Sequence, residues 1–192
     1  VLRQHKEKLR PALLPVFLFQ NWVPQSKASE IERRCSMITF ASIRDFSSGR
    51  LTLEEFDSVW LIVRSAKNAG WLLQKPNVCQ VKSLSPSIEL LSAWLNWDKS
   101  RNHSYDEKLV HFVKFYAPRF IKELRSNMDA TLMLNKLKRE ADKNVAIVCF
   151  CQNEELCHRS IIAAICKYND MDIKTVNDAG IYLDRYFNTG RN

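Results

Sequence analysis

The sequence predicts a single α/β domain: a mainly parallel sheet with flanking helices, in a Rossmann-like three-layer arrangement. Three observations lead there. Residues 59–63 and 145–151 are unbroken apolar runs, the pattern of strands covered on both faces by helices. The second run passes through a short polar loop into a helical pattern, the strand, loop, helix order of α/β proteins. A length of 192 residues with 46% hydrophobic and 26% charged positions, four Gly and six Pro, suits one domain with a real core and excludes disordered, collagenous and coiled-coil chains. Residues 1–28 are expected to be an amino-terminal appendage and residues 29–192 the domain.

The elements follow in order. Pro11, Pro15 and Pro24 break any long helix near the amino end, so Leu13, Leu14, Phe17 and Phe19 are expected to pack an arm on the body. Ser29 and Glu32 form a capping box that opens a brief helix. Residues 37–43 are rich in β-formers and precede the turn-like Ser47-Ser48-Gly49, which predicts a first strand ending near Arg44. Thr52 and Glu55 make a second capping box, and the apolar strand after it ends at Arg64. Ser85 before Pro86 reads as a helix start, with Leu90, Leu91, Trp94 and Leu95 in the helix and Trp97 in the loop beyond. Leu109, Phe112, Val113, Tyr116 and Phe120 recur at three and four residues, predicting a helical stretch over 105–125 interrupted at Pro118. Asp129 is the expected cap of a helix carrying Leu132, Met133 and Leu137. A strand over 144–151 and a helix over 154–167, capped by Asn153, come next. Ile173, Val176, Ile181, Tyr182, Leu183 and Phe187 predict that part of the tail is packed.

Lys and Arg number 29 against 21 Asp and Glu, a net charge of +8, which favours an anionic partner such as a nucleotide or nucleic acid. Of the six cysteines, four lie between 149 and 166, so there is no evenly spread disulfide framework, and a reducing, cytoplasmic setting is expected. No apolar run approaches the roughly 20 residues that span a bilayer, so no membrane role is expected. Walker, Gly-x-Gly-x-x-Gly, His-Glu-x-x-His and Gly-x-Ser-x-Gly patterns do not occur, which removes the commonest nucleotide-hydrolysing, dinucleotide, zinc-protease and serine-hydrolase assignments.

The dense cluster of reactive side chains is residues 149–160, with Cys149, Cys151, Cys157, His158 and Arg159. If the strand ends near Cys151, alternation puts Cys149 and Cys151 on one face, and Cys157, His158 and Arg159 enter the first turns of the next helix. Both groups then border the crevice beyond the strand ends, where open α/β sheets bind ligands. On a first reading this is an anion site: Arg44, Arg64, Cys151 and Arg159 bind the ligand, with Arg64 and Arg159 as anion clamps, while Cys157, His158 and Arg159 form the catalytic set. A thiol at a helix start beside Arg or protonated His has a lowered pKa, whereas Glu154 and Glu155 oppose a bound anion unless one acts as general base. Seven residues separate Cys151 from Arg159, too many for the cysteine phosphatase loop. On a second reading Cys149, Cys151, Cys157 and His158 are metal ligands, but neighbours on a helix point about 100° apart and no second Cys-x-x-Cys exists, so neither metal nor cofactor is expected. On a third, Cys149 and Cys151 are small core hydrophobes and Arg159 pairs with Glu155.

Residues 145–151 followed by Cys157-His158-Arg159-Ser160-Ile161-Ile162-Ala163 closely resemble the signature of the family called domain of unknown function 488. The likeness extends to the strand ending in Arg64, the Leu84-Ser85-Pro86-Ser87 helix start and the Tyr105 helix, and spans residues 37–170. It implies a compact α/β fold with a site around Cys157, His158 and Arg159. Where the family often has Pro and Gly after its Arg-bearing strand, this chain has Ser65-Ala66-Lys67-Asn68-Ala69-Gly70.

Lys108, Lys114, Arg119, Lys122 and Arg125 give the 105–125 region a basic bias with Tyr105, His111 and Tyr116 interleaved. Lys114, Arg119 and Lys122 are the candidates for tracking a phosphate backbone, although Asp106, Glu107 and Glu123 interrupt them as in a solvated face. The expectation is therefore an enzyme acting on a phosphate-bearing substrate, nucleotide or nucleic acid, at a Cys-His-Arg site. The alternative is a non-catalytic module that binds nucleic acid or protein through the basic helical face.

Overall fold

A computed structural model describes residues 37–140 and 142–188; the expected arm and the Ser29 helix lie outside the described residues. Five parallel strands form one sheet: β1 (Ile38–Ser42), β2 (Ser58–Leu61), β3 (Val78–Gln80), β4 (Val145–Cys149) and β5 (Ile173–Lys174). Their order is β3-β2-β4-β1-β5, so β4 enters between two strands formed much earlier in the chain. Val145 pairs with Ile38 on one side and Ser58 on the other, and Val148 with Ala41 and Leu61. All five residues of β4 are buried, as its unbroken apolar run requires. Flanking helices complete a three-layer α/β fold.

The helices are α1 (Ile43–Ser47), α2 (Gly70–Leu73), α3 (Ile88–Ser100), α4 (Tyr105–His111), α5 (Ala117–Ser126), α6 (Met128–Arg139), α7 (His158–Tyr168) and α8 (Ala179–Leu183). Several begin elsewhere than the sequence predicts. β1 stops at Ser42 because Ser42 and Asp45 form a capping box: the Ser42 N–H donates to Asp45 at 2.8 Å, and the Arg44 N–H donates to Ser42 Oγ at 3.3 Å. Arg44 therefore belongs to α1. Pro86 holds Ser85 extended, and Ser87 is the cap of α3, its Oγ accepting from the Leu90 N–H at 3.1 Å. Trp97 lies inside α3, which runs on to Ser100. Asn127, not Asp129, caps α6, accepting from the N–H groups of Asp129 and Ala130.

Pro118 does not interrupt the 105–125 stretch. A π-helical turn over Phe112–Tyr116 joins α4 to α5 and brings Pro118 into the first turn of α5, where its missing N–H costs little. Asn153 closes only a local turn, with its Oδ1 accepting from the Glu155 N–H at 2.9 Å, and the helix starts later, at His158. Among the described residues no helix is long and apolar enough to cross a membrane.

Candidate functional site

β4 ends at Cys149, a loop over 150–156 leaves the sheet, and Cys157 returns as the N-cap of α7. Caps are usually oxygen side chains; here a sulfur takes the position, accepting from the Arg159 N–H at 3.4 Å. Arg159 Nε donates to the same Sγ at 3.5 Å, Cys149 Sγ lies 3.2 Å away and His158 Nδ1 3.7 Å away. The Cys157 sulfur is thus held by two N–H groups of one arginine, a second thiol and an imidazole.

His158 is oriented from β2. Its Nε2 lies 2.8 Å from the Ile62 carbonyl, an acceptor only, so Nε2 carries the hydrogen and Nδ1 is the nitrogen turned to sulfur. Phe120 packs edge-on against the ring. Arg159 is 1% exposed, and its Nη2 donates to the Cys151 carbonyl at 2.7 Å. Burial works against its charge, but the Cys157 and Cys149 sulfurs outweigh that and raise its pKa further. Glu154, also buried, accepts from the Val176 N–H at 2.9 Å; burial raises its pKa, with Arg159 pulling the other way.

The three thiols divide the charge unequally. Burial pushes the Cys157 thiol up, but hydrogen bonds from Cys149 and Cys151, together with His158, outweigh it and hold Cys157 well below the usual thiol range. Burial drives Cys149 well above that range, reinforced by its bonds to Cys151 and Cys157. For Cys151 the tie to Cys149 pulls down, yet its bond to Cys157 and the protein packed around the sulfur carry it up to about 12. The cluster thus favours the charged form on Cys157 and the neutral form on Cys149 and Cys151.

A cavity of about 150 Å³ opens onto this cluster at the carboxyl ends of β2 and β4. Cys149, Cys151, Cys157 and His158 form one side; Arg64, Trp94 and Tyr116 contribute to the rest. Arg64 Nε donates to the Pro86 carbonyl at 2.9 Å and Nη2 to the Ser85 carbonyl at 3.0 Å, which fixes the guanidinium plane on the cavity wall. Cys151 and Phe150 lie exposed on the loop.

Of the residues singled out in the sequence, the fold brings Arg64, Cys151, Cys157, His158 and Arg159 together. Arg44 is exposed on α1 and is not among the residues lining this cavity. Arg159 does not pair with Glu155, which instead meets Arg185 at 3.9 Å and the Tyr105 hydroxyl. The Nε and Nη2 of Arg159 are engaged with Cys157 and the Cys151 carbonyl, as those of Arg64 are with the Pro86 and Ser85 carbonyls, but Arg159, unlike Arg64, is not among the residues lining the cavity. The Ile62 carbonyl and the walls that Trp94 and Tyr116 give the cavity were not singled out. The approach of Cys149 to Cys157 was implied by the reading of both as ligands of one metal ion.

The ligand atoms of Cys149, Cys157 and His158 lie within 4.8 Å of one another and are the donors available to a soft metal ion, with the Arg159 charge beside them opposing a cation. Lys114, Arg119 and Lys122 are exposed on the Phe112–Tyr116 turn and α5. Arg119 and Lys122 share a shallow open depression with Glu89 and Glu123, and Lys108 pairs with Asp98 at 2.7 Å, so the basic face is interspersed with acids. The family model DUF488-N3a, described as the active DUF488-N3 subclade, matches residues 67–170. No curated protein and no solved structure matches the chain.

Proposed function

The chain belongs to the DUF488 family, and from that premise we propose that it is an enzyme in which Cys157 attacks a phosphate-bearing substrate, a nucleotide or nucleic acid, bound in the cavity at the ends of β2 and β4. The observation that carries the reading is the Cys157 sulfur at the start of α7, accepting both the backbone and the Nε hydrogen of Arg159. Such an environment favours a thiolate, the nucleophilic form. His158, with Nδ1 beside the sulfur, is the group that holds or delivers a proton there. Arg64 brings positive charge to the cavity wall for the phosphate, and Trp94 and Tyr116 offer aromatic surface to a base. In this reading Arg159 sets the state of the sulfur, and Arg64 is the anion-binding residue.

The test is binding and turnover of a panel of nucleotides and single-stranded oligonucleotides. Cys157→Ser and Cys157→Ala are expected to keep affinity and lose turnover. Arg64→Ala should weaken binding about tenfold, the loss of one charge-assisted contact. Wild-type turnover by Cys157→Ala would end the proposal.

A second reading rests on the exposure of Lys114, Arg119 and Lys122 near exposed Val110 and Phe115: a non-catalytic face for nucleic acid or protein. It predicts indifference to Cys157 variants and loss of binding when those three charges are reversed.

A further inference from the structure

The two most buried sulfurs of the site are also the closest. Cys149 Sγ and Cys157 Sγ lie 3.2 Å apart, each on a residue 1% exposed, one at the end of β4 and the other at the start of α7. A disulfide bond of about 2.05 Å requires the two sulfurs to approach by roughly 1 Å. The connecting loop over 150–156, with Phe150 to Asn153 exposed, is the part of the chain that would take up that movement. The Cys151 N–H donates to Cys149 Sγ at 3.2 Å, so a backbone donor is already in position to support negative charge on Cys149 as it reacts. Both thiols border the cavity of about 150 Å³, which has room for a molecule the size of hydrogen peroxide.

We propose that Cys149 and Cys157 are a modification site, closed to an intramolecular disulfide by a small hydroperoxide, with Cys157 as the sulfur that is oxidised first and Cys149 as the one that resolves it. The proposal rests on the reading of Cys157 as the reactive thiolate and adds its reaction with an oxidant. In the first step Cys157 Sγ attacks one peroxide oxygen, the O–O bond breaks, and the departing oxygen takes a proton and leaves as water, or as an alcohol from an organic hydroperoxide. Cys157 is then a sulfenic acid. In the second step Cys149 Sγ attacks the Cys157 sulfur, gives up its proton, and the sulfenic hydroxyl leaves as a second water. Two electrons pass from the thiol pair to the peroxide. The disulfide removes the nucleophile and protects it from irreversible oxidation, and a dithiol reductant restores both thiols.

Treatment of the full chain with hydrogen peroxide, followed by blocking of free thiols with N-ethylmaleimide and peptide mass spectrometry, tests this. The expected product is a Cys149 to Cys157 cross-linked peptide pair that dithiothreitol reverses. Cys149→Ser should instead accumulate a Cys157 sulfenic acid that dimedone traps. If that variant fails to fold, the wild-type cross-link map alone decides, since it names the bonded pair. Accumulation of Cys157 sulfinic acid without a cross-link, or closure of Cys157 onto Cys151, overturns the assignment. So does a stoichiometric zinc ion in the purified protein that blocks oxidation until it is chelated. Parallel alkylation of the reduced protein separates the two readings. Cys157 inert to both iodoacetamide and peroxide defeats the proposed function as well, whereas Cys157 that alkylates but never cross-links defeats only the disulfide.

Discussion

Arg159 occupies an N-terminal position of α7 with its charge inside the protein, where water cannot compete for it. Its Nε and backbone N–H converge on Cys157 Sγ while Nη2 holds the Cys151 carbonyl, a geometry that the planar guanidinium provides and a lysine ammonium does not. Arg159→Lys is therefore expected to keep the charge and lose the fork. The Cys157 pKa should rise, with alkylation slowed about tenfold for each unit by which the new pKa exceeds the pH of the assay. Arg159→Met should also cost about 1–3 kcal/mol in urea unfolding, because the Cys151 carbonyl loses its donor and the Cys157 sulfur takes up a proton. Unchanged alkylation in both variants would show that the sulfur is set by something else. The triplet Cys157-His158-Arg159 was legible as a cluster of reactive groups at a strand-to-helix junction. The task of Arg159 was not legible. Adjacency along the chain does not say whether an arginine at a helix start turns out to an anion or back to its own cap, and cysteine is not a residue from which a cap is normally read.

At the scale of elements, the strands with continuous apolar runs were readable because burial on both faces leaves no polar position to confuse the pattern. β3 was not: three residues, of which only Val78 is buried, carry too little periodicity to register. The helix starts at Ser87 and Asn127 were displaced by two residues from Ser85 and Asp129, since each region offers two cap-competent side chains and only the backbone geometry chooses between them. That choice is measurable. Asn127→Ala should lower unfolding stability by about 1 kcal/mol and Asp129→Ala by less, and the reverse order would contradict the observed cap. Ser87 has a second role, as its N–H and Oγ also bond Glu123 at 2.9 and 2.6 Å. Ser87→Ala should thus cost about 1–2 kcal/mol and loosen the neighbouring Pro86 carbonyl that orients Arg64, appearing as weaker ligand binding as well as a lower Tm. Binding unaffected by a variant that is measurably destabilised would separate Arg64 from the α3 start.

Across the whole molecule, buried acids make stability depend on alkaline pH. Burial carries Cys166 up to about 12 from 9.0 and Tyr186 up to about 12 from 10.0. For each, the folded pKa lies above the unfolded one, so the unfolded chain gives up its proton first as pH rises. Their contribution is complete below about pH 9 and is lost as pH climbs toward 12, by roughly 1.4 kcal/mol per unit for each group at most. Cys157 has the opposite sign: its folded pKa is lowered, so its contribution is lost as pH falls below the usual thiol range. Tm should therefore fall between pH 9 and 11, and Cys166→Ala should flatten part of that fall; a Tm that holds level there would contradict the burial of these groups. The sheet order explains why the cluster has its unusual charge balance. β4 inserts between β2 and β1, so Cys149, the α7 start and the Ile62 carbonyl after β2 meet at one end of the sheet, a meeting of segments nearly a hundred residues apart. The rate of Cys157 alkylation by iodoacetamide against pH, resolved residue by residue with the protein folded, tests the reactive thiolate most directly. The predicted result is a Cys157 rate that levels off well below pH 9 and that exceeds the rate of Cys79 or Cys166 at neutral pH. A Cys157 rate that still climbs through pH 9, or that trails Cys79, would contradict it.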